Sequence, residues 1–400
     1  MSHLMNTYAR LPVAFVRGEG VWLWDTHGKR YLDAVAGIAV NGLGHAHPKL
    51  VNALSEQVRT LIHTSNLYQV SKQEELAAKL ANLAHMDKVF FCTSGAEANE
   101  AAIKLARLHG HQKGIDNPTI VVMEKSFHGR TMATLSATGS RRVQAGFEPL
   151  MGGFARVPYN DVEAVAQVAG NNKNIVAVLV EPIQGESGIR MPLPLPDYFQ
   201  GLRRVCDEHG WLLMFDEVQS GIGRTGKWFA HQHSGITPDV MTLAKGLGSG
   251  VPIGACLAAG PAADLFKPGY HGSTFGGSPL ACTAALATLA AIEEENLMPQ
   301  AVILGEFIRN GFAEKFAGAK DVVQIRGEGL MIGIELAQPC GDLVKQALEH
   351  GLLINVTAEN VIRLLPPLVM REAEAQLLID GLSGLIRQFV ETGTAAQAHA

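Results

Sequence analysis

The chain has 400 residues, 47% of them hydrophobic and 18% charged, which is enough to bury a sizeable core and excludes global disorder. Its 33 basic and 38 acidic side chains give a net charge of −5, and no basic run occurs, which argues against nucleic acid as the main partner. The 43 glycines exceed the usual ~7% and follow no period, so collagen and repeat arrays are excluded and many tight turns are expected.

In chain order, Gly18–Asp33 (GEGVWLWDTHGKRYLD) reads as a hairpin turning near His27–Gly28. Lys88–Cys92 (KVFFC) is a short apolar run of the buried-strand type, followed by a helical pattern over Glu97–His109. TSGAEANE, residues 93–100, joins the two. Small hydroxyl residues and a glycine opening a helix present free N–H groups at a positive dipole end, a seat for phosphate. The plain alternative is a capping box of Ser94 and Glu97, and the two readings are compatible. Strand-like Thr119–Met123, Ile175–Val180, Trp211–Phe215 and Val240–Leu243 then alternate with helical Asp161–Gly170 and Asp197–His209. Such alternation predicts an α/β fold with a mostly parallel sheet, whose ligands bind beyond the carboxyl ends of the strands.

The residues just past each strand are therefore the informative ones. Asp216 and Glu217 come after WLLMF, and a carboxylate at a buried strand end needs a partner. A capping aspartate and a magnesium-holding acidic pair are both open. GIGRTGKW, residues 221–228, matches G-x-G-x-x-G and nearly matches the Walker A pattern. The first needs a strand directly before it and a helix directly after; the second needs Ser or Thr where Trp228 stands. A nucleotide-binding module is thus the alternative from a different class. Lys245 comes after VMTL in a glycine-rich stretch. A surface lysine is the plain reading, but desolvation at a strand end would make it a nucleophile able to condense with an aldehyde. A phosphate seat, a strand-end aspartate and a strand-end lysine on one sheet are together the three requirements of pyridoxal 5'-phosphate.

The tail changes character. Ser278–Asn296 and Ala301–Phe316 read as helices, Val323–Leu336 and Leu352–Leu365 as strand-like, and Glu372–Val390 as a last helix. This predicts a large α/β domain over 56–275 and a smaller α+β domain formed by 1–55 and 276–400. Five cysteines without a C-x-x-C point to a reducing compartment and buried thiols. With no signal-like start and no run near the ~20 apolar residues of a membrane span, a cytoplasmic protein is expected. The pairs His45/His47, His109/His111 and His231/His233 lack the spacing of a metal site, so no metal is expected.

The motifs TSGAEANE, SFHGRT (126–131), EPIQGESG (181–188), FDEVQSGIGRTG, TLAKGLG and HGSTFGG occur in this order. Together they resemble the class III, pyridoxal-phosphate-dependent aminotransferases of fold type I, across nearly the whole chain. SFHGRT and EPIQGE are most similar to the acylornithine and ornithine branch, acetylornithine enzymes foremost. The resemblance implies a ping-pong transfer of the terminal amine of N2-acetylornithine to 2-oxoglutarate. Succinylornithine, ornithine, diaminopimelate and 4-aminobutyrate are the alternative donors within the class. It also implies that Lys245 binds the cofactor's aldehyde and shuttles a proton, while Asp216 pairs with the ring nitrogen. Val218 and Phe127 would flank the ring, Gln219 would reach its phenolic oxygen, and Glu217 would stand among the cofactor contacts. Gly95 and Ala96 would bind phosphate, completed by Thr274 of a second copy in a homodimer with shared sites. Arg130, assisted by Ser273 from that copy, would grip a substrate carboxylate. Arg363 would take the α-carboxylate of glutamate or 2-oxoglutarate, with Glu186 neutralising it when an acylornithine is bound. Ser278 and the run Gly246–Pro252 depart from the family pattern.

Overall fold

A computed structural model describes residues 3–192 and 194–398. Seven strands form the central sheet, in the spatial order Lys88–Cys92, Gly254–Ala258, Val240–Leu243, Leu212–Asp216, Ile175–Val180, Thr119–Met123, Phe154–Val157. Gly254–Ala258 runs antiparallel to both neighbours, and the other pairs are parallel. Both faces are covered. Ala101, Ala102 and Leu105 of helix Gly95–Gln112 pack on Ile120, Val122 and Leu179. Phe199, Leu202 and Cys206 of helix Leu195–His209 pack on the alternate residues Val121, Val178 and Leu213. That is why Ile175–Val180 is apolar at every position and wholly buried.

Sequence patterning misses two strands of this sheet. Gly254–Ala258 (GACLA) lacks the β-branched and aromatic residues that mark strands, and is held by ladders on both sides. Phe154–Val157 is a short edge strand. The strand expected over Trp211–Phe215 begins at Leu212, one residue later, so Asp216 is its last residue and pairs in register with Thr242.

The described residues also form two four-stranded sheets. The expected hairpin over Gly18–Asp33 is a meander of Phe15–Glu19, Trp22–Asp25 and Arg30–Asp33, extended by Leu352–Leu353. Its extra turn is at Gly20, with φ of +56°. The other sheet runs Val322–Glu328, Met331–Leu336, Val361–Leu364, Asn355–Thr357, all antiparallel. Its first hairpin turns at Gly329, φ +54°, where a Cβ would sit 2.7 Å from the Arg224 carbonyl oxygen. Helix Leu297–Lys315 starts a turn earlier than expected, because Pro299 occupies its first turn, where the missing N–H costs nothing. The last helix continues beyond Val390 to Ala398. All five cysteines are buried and unbonded, and no described helix is long and apolar enough to cross a membrane.

Candidate active site

At the carboxyl ends of the central strands lies a cavity of about 430 Å³, within the size range of small-molecule sites. One wall is the start of helix Gly95–Gln112. Ser94 caps it, accepting from the Glu97 N–H at 3.2 Å, while Glu97 reaches back to the Thr93 N–H at 2.8 Å. This cap leaves the N–H groups of Gly95 and Ala96 at the cavity wall. Position 95 has no room for a side chain: a Cβ would stand 2.7 Å from Val218 Cγ1. The helix end therefore approaches the loop after Asp216 as closely as backbone can.

Asp216 is buried on the cavity floor with three donors. Its Oδ2 accepts from Asn99 Nδ2 at 2.7 Å and pairs with His128 Nδ1 at 2.8 Å, and its Oδ1 accepts from the Val218 N–H at 3.1 Å. Asn99 is itself fixed, donating to the His128 carbonyl at 2.8 Å and accepting from Thr242 Oγ1 at 2.7 Å. Lys245 lies just past the strand Val240–Leu243 at the opening of a single 3-10 turn, with φ of +39°. Its amine lines the cavity and makes no hydrogen bond or ion pair among the described residues. Burial pushes its pKa below the ordinary lysine value, and Arg363 adds to this against the opposing pull of Glu186, Asp216 and Glu181. Phe127, Val218 and Gln219 line the same cavity. A free amine, an anchored carboxylate and an open helix N-terminus thus share one space.

The family model for class III aminotransferases matches residues 4–386. The chain belongs to the class III aminotransferases. It is 64% identical to an acetylornithine aminotransferase of Nitrosomonas europaea over 98% of this chain and 99% of that one. Among solved structures, an ornithine aminotransferase of Toxoplasma gondii superposes with a TM-score of 0.93 at 32% identity, covering 98% of this chain and 94% of that one. An acetylornithine aminotransferase of Elizabethkingia anophelis superposes at 0.86 with 37% identity, covering 96% of each chain. The fold is therefore that of the fold type I enzymes, and the cofactor of this aminotransferase is pyridoxal 5'-phosphate.

The residues present fit that group. The helix N-terminus suits its phosphate, the fixed carboxylate suits a ring nitrogen, and the amine without a partner suits its aldehyde. Glu217 needs a correction. Its carboxylate does not line the cavity but accepts from the Ala230 and His231 N–H groups at 2.9 and 2.8 Å and from Ser220 Oγ at 2.7 Å. It caps the 3-10 turn Ala230–Ser234 instead, and its neighbour His231 pairs with it at 3.1 Å. Gln219 lies over Gly185, where a Cβ would meet its Oε1 at 1.9 Å, and its amide contacts Glu186 at 3.4 Å. Ser273 and Thr274 are not in the wall of this chain's own cavity. Ser273 holds the loop instead, its carbonyl accepting from Asn66 at 2.9 Å.

Further out, Arg130 is exposed at the mouth with its guanidinium 5.7 Å from the Phe127 ring centre, and makes no ion pair among the described residues. Arg363 is fully buried, an arrangement that requires charge compensation. Its Nη1 donates to Glu186 at 2.6 Å, and Asn355 Oδ1 takes Nη2 at 2.7 Å and Nε at 3.1 Å. Burial would raise the Glu186 pKa, but the Arg363 guanidinium holds it below the ordinary carboxylate value.

Sequence reasoning assigned no role to Asn99, Thr242, Glu181 or Asn355. Glu181 had a usable signal, since it directly follows the strand Ile175–Val180, the position that exposed Asp216 and Lys245. It lines the cavity and accepts from the Phe127 N–H at 2.8 Å. Burial and the nearby Asp216 carboxylate push its pKa well above the ordinary carboxylate value. A carboxyl raised in this way gives stability below its unfolded pKa of about 4.3 that is lost as pH rises toward the folded value. Glu181→Gln, which keeps the acceptor, should therefore melt a few degrees above the natural protein at pH 8. Calorimetry across pH should show that gap closing in acid; a pH-independent gap would count against a raised pKa at Glu181.

The stretch Gly221–Gly226 is a series of turns, with Gly223 and Gly226 at φ of +81° and +87°. No helix follows it directly and it does not line the cavity. Its one buried charge, Arg224, donates to the Leu330 carbonyl at 3.3 Å and to that of Pro366, and burial lowers its pKa to about 10. The nucleotide pattern is thus a seam between the central and C-terminal sheets.

Proposed function

We propose that this aminotransferase moves the terminal amine of N2-acetylornithine to 2-oxoglutarate, giving N-acetylglutamate 5-semialdehyde and glutamate. The observation that carries this reading is the pair Glu186–Arg363 beside the cavity, with Arg130 free at its mouth. A donor reacting through a terminal amine needs one carboxylate site near the entrance and a neutral inner wall. The closed ion pair supplies the neutral wall, and Arg130 supplies bidentate geometry for the α-carboxylate. A dicarboxylate acceptor needs a second cationic site, which Arg363 offers once Glu186 turns away.

Bound pyridoxal phosphate supplies a reactive aldehyde and an electron-withdrawing ring. Around it, Lys245 takes the proton from the donor's terminal carbon and returns one on the far side of the transfer, aided by its depressed pKa. Asp216 would keep the ring nitrogen protonated. Phe127 and Val218 would hold the ring, Gln219 would serve its phenolic oxygen, and Gly95 and Ala96 would take the phosphate.

Thr274 and Ser273 act, in this reading, from the second subunit of a homodimer. The apolar side chains Leu61, Ile62, Leu67, Tyr68 and Phe275 are exposed around the segments that Asn66 ties together, and His63 packs on Phe275 at 5.3 Å between ring centres. These exposed apolar side chains support burial against a second copy. The five buried, unbonded cysteines support the cytoplasm as the compartment. We further propose the division into a large domain, 56–275, and a small one, 1–55 with 276–400.

The deciding experiment is a side-by-side kcat/KM series with N2-acetylornithine, N2-succinylornithine, ornithine, diaminopimelate and 4-aminobutyrate, each against 2-oxoglutarate. N2-acetylornithine should give the highest value. Free ornithine or 4-aminobutyrate in first place would overturn the assignment.

A further inference from the structure

Glu186 sits in a tight loop closed by paired hydrogen bonds between Gln184 and Arg190, at 2.8 and 3.1 Å. Gly188 and Ile189 both have positive φ, +85° and +53°, so this backbone is held in a conformation costly for isoleucine. The C-terminal sheet supplies the hold. Arg326 donates through Nε to the carbonyls of Gly188 and Ile189 at 3.1 and 3.0 Å, and through Nη2 to Gly188 at 2.6 Å. Its remaining nitrogen is fixed by Gln324 at 2.8 Å and by Glu335.

The strand register makes this more than a local contact. Arg326 pairs with Gly333, Gly333 pairs with Arg363, and Arg363 pairs with Asn355. Residues directly opposite in a sheet share a face. One rank therefore presents, in order, a guanidinium on the loop carbonyls, a gap, a guanidinium on Glu186, and the amide backing that guanidinium. The gap is occupied by the loop itself: a Cβ at Gly333 would meet Ile189 Cβ at 3.1 Å and the Gly188 oxygen at 3.2 Å.

We propose that Arg326 is a positioning residue for substrate choice: with Gly333 it seats the Gly188–Ile189 backbone on the rank that carries Arg363. Glu186 then opens and closes over Arg363 by side-chain rotation on a fixed loop. This rests on the reading of Glu186–Arg363 as the element that separates the two substrates. Loosening the seat weakens the closed pair. A dicarboxylate then displaces Glu186 more cheaply, while an acylornithine meets an inner wall that is no longer neutral.

The test uses the holoenzyme and glutarate, a dicarboxylate with neither amine nor keto group, titrated by calorimetry beside acetylornithine kinetics. Arg326→Gln and the milder Arg326→Lys should tighten glutarate binding at least about 3-fold, the scale of coupled neighbours, and lower kcat/KM for acetylornithine. The opposite signs matter, because a merely structural lesion weakens both. Weakened or unchanged glutarate binding in both variants overturns the proposal. Glu186→Gln is the control for the underlying reading. If it tightens glutarate and the Arg326 variants do not, the reading stands and the proposal falls; if it leaves glutarate unchanged, both fall. With Glu186→Gln already present, Arg326→Gln should add no further tightening, and an additive gain would also overturn the positioning role.

Discussion

Replacing Lys245 with alanine should remove the visible absorbance of the purified holoenzyme and cut turnover at least about 10³-fold, the combined scale of nucleophilic and general acid–base roles. The expectation rests on the cavity wall, in which Lys245 carries the lone amine among the described residues. No neighbour can substitute. Lys125, in the adjoining cleft, is exposed and lies outside this cavity. Lys245 also stands at φ +39°, a conformation uncommon for a lysine and one that its surroundings must enforce. Alanine at this site keeps that backbone requirement, so circular dichroism should stay near that of the natural protein while the spectrum of the cofactor changes. A variant with the original visible band would remove Lys245 from the chemistry.

Those residues that stand at the end of a strand were legible. Lys245, Asp216 and the Gly95 helix start each come after an apolar run of four or five residues, and the sheet brings such ends together by topology alone. The partners that escaped are those that only the folded chain brings near. Asn99 lies 117 residues from the carboxylate it holds, and Asn355 accepts from Arg363 across a strand pair. Glu217 misled for the opposite reason. It adjoins Asp216 in sequence, but adjacent residues at a strand end diverge, and the free N–H groups of Ala230 and His231 claim its carboxylate. The strand Gly254–Ala258 escaped because its burial is conferred by neighbours on both sides and not by its own composition.

Asp216→Asn should lower kcat by at least about 10²-fold, the scale of removing one preorganised electrostatic partner, with a smaller effect on folding. In the natural protein both Asn99 and His128 aim at Oδ2, and the Val218 N–H takes Oδ1. Every neighbour of this carboxylate is therefore a donor, and the group accepts only. An asparagine cannot satisfy that set, because its Nδ2 must face either the Val218 N–H or the Asn99–His128 pair. The conflict is sharpest at His128, which is buried, with its Nε2 already lacking a partner among the described residues. Facing Nδ2 toward the Val218 N–H keeps Asn99 and His128 satisfied, but it sets donor against donor and removes the negative charge that a ring nitrogen would need. The proton on that nitrogen loses its counter-charge, and the ring withdraws electrons less strongly from the donor's terminal carbon. Single-turnover measurements should place the loss in proton removal by Lys245, for both acetylornithine and glutamate, because the role proposed for Asp216 is toward the cofactor and toward neither substrate. Cofactor release on gel filtration should also quicken. A loss confined to one of the two substrates would instead assign Asp216 to substrate recognition.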